Sequence, residues 1–322
     1  MKDAFKGFWA YGDHLTTLLF FGLLVAGAVM VRSATFGTRF EGLASRQTTW
    51  CFVAAVVYLV AVLVPYEIWL EYGYLFYGLC VVVLLAVMIF GHSVAGSRSW
   101  LILGPVGFQP SELAKVAAAL AGAGYIKGLS LKIIGPKEFA ILAGIVALPM
   151  LLTLLQPDFG TATTFLPIIL VAFFLSRLSL GQLLKWAGIA LAGVIALSVL
   201  GWFTFFKPYQ KERISTFLDP SAHTRGAGYQ VHQARIAVGS GELTGKGLYS
   251  GTQNRLNFLP APHTDFVFGV ISEETGFLGA VSLLVIFLAL LSRFLSTLLL
   301  ARDLEGRYLA CCAFSVILYH VF

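Results

Sequence analysis

Residues 266–291 read FVFGVISEETGFLGAVSLLVIFLALL, and this run decides the fold. Apart from Glu273 and Glu274 it holds no charged side chain. A helix crossing the roughly 30 Å of bilayer hydrocarbon needs about 20 mostly apolar residues, and the run supplies them. It is continuous rather than alternating, which argues against a barrel strand. A charged side chain at bilayer depth costs about 2.5–3.5 kcal/mol on insertion scales. The two glutamates therefore face a bundle interior or a polar cavity, not lipid.

The rest of the chain repeats the pattern. Comparable runs are Leu15–Val31, Trp50–Val64, Tyr74–Phe90, Leu113–Tyr125, Phe139–Leu155, Ala162–Leu175, Trp186–Phe206 and Tyr308–Phe322. The fourth of these is the least apolar, with Glu112 and Lys115 at its start. Of the 322 residues 58% are hydrophobic and 12% charged, against about 25% charged in soluble domains. No soluble core of this length could hide so much apolar surface. The expected fold is an all-α integral membrane protein, a polytopic bundle of about nine spans, as one domain over residues 1–322. The first span lacks a cleavage site and reads as an anchor, not a signal peptide.

Lys and Arg in short loops set orientation. With the N-terminus in the cytoplasm, Lys2, Lys6, Lys127, Lys132, Lys137, Arg177, Lys185, Arg293, Arg302 and Arg307 lie inside, against Arg32, Arg39, Arg46 and Arg98 outside. The long segment 207–265 then lies outside the membrane as an extracytoplasmic loop. The net charge of +6 follows from this topology and from a basic external loop suited to an anionic ligand; nucleic acid is not needed to explain it. Cys51, Cys80, Cys311 and Cys312 all fall in predicted spans, so neither a disulfide framework nor a CxxC metal pattern is present.

Polar residues concentrate in four places. Gly91–Lys115 is a glycine-rich external loop carrying Arg98 and Trp100, which enters a helix through Gln109-Pro110-Ser111-Glu112. Ser111 is the expected N-cap; Glu112 and Lys115 share a helix face and can pair, though an acid in a first turn is also ordinary. Gln156-Pro157-Asp158-Phe159 is a tight external turn in which Asp158 can cap the next helix. In the segment 207–262, Tyr229–Val238 has the look of a surface helix, and Gly239-Ser240-Gly241 and Gly245-Lys246-Gly247 mark turns close to other backbone. The GKG lacks the rest of a nucleotide-binding loop. Finally, Pro260-Ala261-Pro262-His263-Thr264-Asp265 stops at the mouth of the run quoted first. There Thr264 or Asp265 is a cap, or Asp265 is a chemical group at the membrane boundary.

Four stretches, GSRSWLILGPVGFQPSELAK, QPDFGTA, GAGYQVHQARIAVGSGELTGKGLYSGTQ and FLPAPHTDFVFGVISEETGFLG, together resemble the SEDS family (shape, elongation, division and sporulation), nearer its RodA branch than its FtsW branch. The resemblance implies a glycosyltransferase of the bacterial plasma membrane that joins lipid II units into peptidoglycan strands for cell elongation and shape, releasing undecaprenyl diphosphate. It also implies a partner, the single-pass class B penicillin-binding protein that cross-links those strands, within a shell of membrane lipids. Two departures stand out. Family members usually have ten spans, whereas this sequence stops within the ninth, and the family pattern prefers a second glycine where Glu242 stands in Gly239-Ser240-Gly241-Glu242.

Three tasks follow from that chemistry: removing a sugar hydroxyl proton, receiving charge on a diphosphate, and holding lipid tails. The resemblance assigns the first to Asp265, as general base. Arg46, Arg98, Arg213 and Lys246 are candidates for the second by external location, with Trp100, His263 and Thr264 as further substrate contacts. Gln109, Glu112, Lys115 and Asp158 would form a polar cavity floor. A divalent cation (Mg²⁺ or Mn²⁺) at Asp265 is compatible with this chemistry, although no cluster with metal-ligand spacing is visible. The rival readings are a lipid II flippase, which needs no general base, and a scaffold that recruits the penicillin-binding protein.

Overall fold

The computed structural model describes residues 12–38, 40–94, 97–103, 106–130, 133–179, 227–256, 258–259 and 261–321, with 181, 182, 184, 185 and 188. The predicted span Trp186–Phe206 and the candidate Arg213 lie outside the described residues.

In chain order the helices are α1 (His14–Thr35), α2 (Gly42–Leu63), α3 (Tyr66–Glu71), α4 (Gly73–Phe90), α5 (Pro110–Lys127), α6 (Pro136–Leu155), α7 (Phe159–Thr163), α8 (Leu166–Phe174), α9 (Ala227–Ser240), α10 (Thr252–Arg255), α11 (Val267–Leu300) and α12 (Leu304–Val321). Of these, α1, α2, α4, α6 and α11 are long and apolar enough to cross a membrane. With helix dominating and almost every predicted run helical, the chain is a polytopic helical membrane protein.

The chain divides into two compact units, one of Met1–Asp13, Tyr58–Leu183 and Ala289–Phe322, the other of His14–Val57 and Leu184–Leu288. In the first, α5 explains its own weak hydropathy. Its face of Ala114, Ala117, Ala118 and Ala121 is buried by protein, so it needs small residues for close approach more than large apolar ones for lipid. Gly122 continues that face, since a Cβ there would stand 2.7 Å from the Tyr308 hydroxyl. Around α5 pack Leu84, Leu142, Val146, Phe165 and Ile168. The smaller core of the second unit is Met30, Ala34, Ala237, Leu259 and Val270.

Four local expectations are corrected. The glycine-rich loop after α4 contains a three-stranded antiparallel sheet, β1 (His92–Val94), β2 (Ser97–Leu103) and β3 (Val106–Phe108), in the order β1-β2-β3. Ser111 is not the N-cap of α5. Pro110 takes a first-turn position, where its missing N–H is harmless, so Gln109 becomes the cap residue and the buried Ser111 Oγ has no partner among the described residues. The span Ala162–Leu175 is two helices because Pro167 cannot donate to the Thr163 carbonyl. Tighter bonds bridge the gap: Phe165 N–H to Ala162 O at 3.2 Å and Ile168 N–H to Phe165 O at 3.1 Å. Arg46 sits on α2 and not in a loop, because that helix starts at Gly42.

Candidate active site

In the second unit the chain turns through residues 261–266, where the Thr264 and Phe266 N–H groups both donate to the Ala261 carbonyl at 3.3 Å. Pro262 is buried in this turn and α11 begins directly after it. The turn leaves Thr264 and Asp265 exposed. Neither side chain caps α11, and among the described residues the Asp265 carboxylate has no hydrogen-bond or ion-pair partner. It lines a cavity of about 370 Å³ together with Ala234, Arg235 and Val238 of α9 and Phe266, Phe268 and Gly269. The two helices come close because both are small at the crossing: a Cβ on Gly269 would lie 3.8 Å from that of Ala237. One carboxylate and one guanidinium thus share an otherwise apolar recess. That combination can accept a proton and, separately, hold an anion.

His263, half-buried, stacks its ring 4.7 Å from that of Phe40. Burial pushes its pKa below the ordinary histidine value, and the negative charge of Asp265 opposes that shift. Its buried Nδ1 finds no partner among the described residues.

Below this recess α11 is broken. Gly276 adopts φ 68° and ψ −167°, and the backbone groups freed by the break are taken up by the loop after α9. Lys246 N–H donates to Glu273 O and Gly247 N–H to Glu274 O, each at 3.0 Å, while Phe277 N–H donates to Glu242 O at 2.8 Å and Leu278 N–H to Leu243 O at 3.1 Å. A break at membrane depth is tolerated only when its polar groups are satisfied this way. The side chains of the glutamates complete the join. Glu273, fully buried, accepts from Lys246 Nζ at 2.6 Å, from Thr252 N at 2.8 Å and Oγ1 at 2.9 Å, and from Gln253 N at 3.1 Å. Glu274 accepts from Ser33 Oγ at 2.5 Å, and Ser33 Oγ accepts from Tyr249 N at 2.9 Å. Glu242 has φ 49°, the left-handed conformation that favours glycine.

The first unit holds the other polar group. Lys115, 3% exposed, meets Glu112 at 2.9 Å and His320 Nε2 at 3.3 Å. Asp158 caps α7 by accepting from Thr161 N at 3.2 Å, and Gln109 Nε2 donates to Asp158 Oδ2 at 2.9 Å and Thr161 Oγ1 at 3.0 Å. So Glu112 is paired with Lys115, and Gln109 with Asp158, each within this unit. Arg98 on β2 and Arg46 on α2 have exposed side chains, and Trp100 on β2 is half-buried. Sequence reasoning missed Arg235, His320 and the Ser33–Glu274 contact. The available signal for Arg235 was its place in the stretch HQARIAVGSG, where a cation interrupts a surface helix.

Comparison with known proteins agrees with this architecture. The family described as "Cell cycle protein" (FtsW, RodA, SpoVE) matches residues 13–322. The chain belongs to this family. It is 36% identical to the peptidoglycan glycosyltransferase MrdB of Escherichia coli (strain K12), over 98% of this chain and 84% of that protein. Among solved structures, a chain of a peptidoglycan synthase complex that coordinates polymerization and crosslinking superposes with a TM-score of 0.76 at 27% identity, covering 96% of this chain and 84% of that one. The rod shape determining protein RodA of Thermus thermophilus gives a TM-score of 0.67 at 25% identity, covering 97% and 84%.

Proposed function

We propose that this family member is a peptidoglycan glycosyltransferase. It polymerises lipid II into glycan strands at the outer face of the bacterial plasma membrane, during elongation, alongside a class B penicillin-binding protein. The observation that carries the chemistry is the shared cavity of Asp265 and Arg235. The acceptor sugar hydroxyl gives its proton to the Asp265 carboxylate as its oxygen attacks the anomeric carbon of the donor. The bond from that carbon to the diphosphate oxygen breaks, and the electron pair leaves with undecaprenyl diphosphate. Arg235, fixed on α9, receives the growing phosphate charge; a guanidinium is suited to this because it offers paired donors in one plane. The Asp265 carboxylate has no protein partner among the described residues, so its lone pairs are open to a substrate hydroxyl brought within reach.

Among the described residues no group of three His, Cys, Asp or Glu side chains converges on one point. A magnesium-type ion needs fewer: it is commonly held by one or two carboxylates and the substrate's own phosphates, a role Asp265 fits. Such an ion would supply charge neutralisation at the diphosphate.

The test is labelled lipid II given to the protein purified with its partner, with glycan length read on a gel. Wild type should give long strands. Asp265→Asn should give none while keeping lipid II binding, since a base contributes about 10²–10⁴-fold. Equal polymer from both would remove the assignment of Asp265. No polymer from either would favour a flippase.

A further inference from the structure

We infer that Lys246 and Glu273 form a positioning clamp that sets Arg235 against Asp265, and that Lys246 does not contact the lipid diphosphate. Only the activity arm of the test below rests on the glycosyltransferase reading. The position of Lys246 in an external GKG turn invites a role as phosphate ligand, but its ammonium is committed. Nζ lies 2.6 Å from Glu273 Oε1, 2.9 Å from Ser240 Oγ and 2.8 Å from Thr252 Oγ1, which uses the three donors an ammonium has. The partners come from separate elements. Ser240 is the last residue of α9, Thr252 the first of α10, and Glu273 lies about two turns into α11.

Glu273 is fully buried, with the Lys246 side chain 28% exposed above it. Without Lys246, a carboxylate with no access to water would keep only neutral donors, the situation that makes a broken buried pair costly. The cation thus holds the end of α9 to α11. Arg235 is one to two turns back along α9 from Ser240, and Asp265 lies two residues before the first residue of α11. Both cavity charges therefore hang from the clamped elements, and the clamp fixes their separation. The surrounding backbone bonds from Lys246 and Gly247 to Glu273 and Glu274 repeat the same tie without the charge. In catalysis a misplacement of about 1 Å can cost about 10²-fold.

Position can be read directly. Ala237→Cys with Gly269→Cys places two thiols across the α9–α11 crossing, where the Cβ atoms would stand 3.8 Å apart, close to the mean of about 3.8 Å in disulfides. In membranes, oxidation followed by peptide mapping gives the rate of the 237–269 bond. Adding Lys246→Met should slow that bond about tenfold or more, and Lys246→Arg should preserve most of it. Glu273→Gln, nearly the same shape, serves as a second variant and should slow it likewise. In the absence of the new cysteines, Lys246→Met should lower kcat for lipid II by about 10²-fold with KM nearly unchanged, and Lys246→Arg should recover most of it. An unchanged cross-linking rate in Lys246→Met and Glu273→Gln overturns the clamp, as does a raised KM with unchanged cross-linking, which would make Lys246 a diphosphate ligand. Lysine-dependent cross-linking in a wild-type protein that makes no polymer would sink the glycosyltransferase reading and leave the clamp standing.

Discussion

Gly276→Ala should be among the most damaging single-methyl additions in the second unit. At φ 68°, ψ −167° the residue sits in a region nearly reserved for glycine, and holding alanine there costs about 1–3 kcal/mol. The new methyl would also stand 2.6 Å from the Leu243 carbonyl and collide with the Gly245 amide nitrogen. If the break opens to relieve this, it forfeits bonds among Lys246–Glu273, Gly247–Glu274, Phe277–Glu242 and Leu278–Leu243. Each is worth about 0.5–1.5 kcal/mol net, and more where no water can replace it. Whether the site strains or opens, the loss comes to about 2–4 kcal/mol. The assay is SDS-induced unfolding in mixed micelles, followed by tryptophan fluorescence. Gly27→Ala is the control: it lies within α1 with nothing within 4 Å of a new Cβ, and alanine there should be neutral or stabilise by up to about 1 kcal/mol. Equal unfolding midpoints for the two variants would refute the account of the break.

His263 should titrate below the ordinary histidine value of 6.5 by NMR of labelled protein, and Asp265→Asn should lower it further, because the negative charge of that carboxylate favours the imidazolium; an upward shift would contradict the geometry. The sign for stability follows. The folded pKa lies below the unfolded one, so the unfolded chain takes up the proton first, and stability is lost as pH falls from about 6.5 toward the folded pKa; replacing His263 with Asn should flatten that part of the profile. In the first unit, Glu112→Gln should lower the melting temperature more than Lys115→Met. The former leaves an ammonium, in a side chain 4% exposed, with only a neutral amide and His320 beside it, while the latter leaves a carboxylate 50% exposed that water can solvate, so the first is the costlier loss. The reverse order would argue that Lys115 reaches water. Tyr66, which donates to Asp303 at 2.8 Å, has its pKa raised to about 12 by burial and by that hydrogen bond; Asp303→Asn should move the titration of the Tyr66 ring resonances, assigned with Tyr66→Phe, to lower pH.

Legibility followed the range of the forces involved. Glu112 and Lys115 were readable as a pair because helical spacing alone brings them together, and Asp158 as a cap because the cap is local. The depth of Glu273 and Glu274 was readable from hydropathy. What they bind was not, since Ser33 and Lys246 reach them across long stretches of chain. The break at Gly276 was hidden inside an apolar run: glycine is common in spanning helices, and nothing adjacent in sequence reveals that the loop from Glu242 to Gly247 repairs the gap. Arg235 escaped for the same reason, as its place beside Asp265 depends on Ala237 and Gly269 meeting. The strands after α4 were hidden by their shortness and by the glycines around them, and Ser111 misled because a proline one residue earlier moved the helix start.

The mended break in α11 also has a consequence for how the protein is made. The loop that supplies the mending groups, Glu242 to Gly247, precedes α11 in the chain. Ribosomal synthesis therefore delivers the patch before the helix that requires it, and the first half of α11 can dock as it emerges, without waiting in lipid with unpaired amides. A rearranged gene that placed the loop after α11 would encode every contact described above, yet would ask a discontinuous helix to enter the bilayer unaided. Chain order, on this view, is part of what makes the fold attainable.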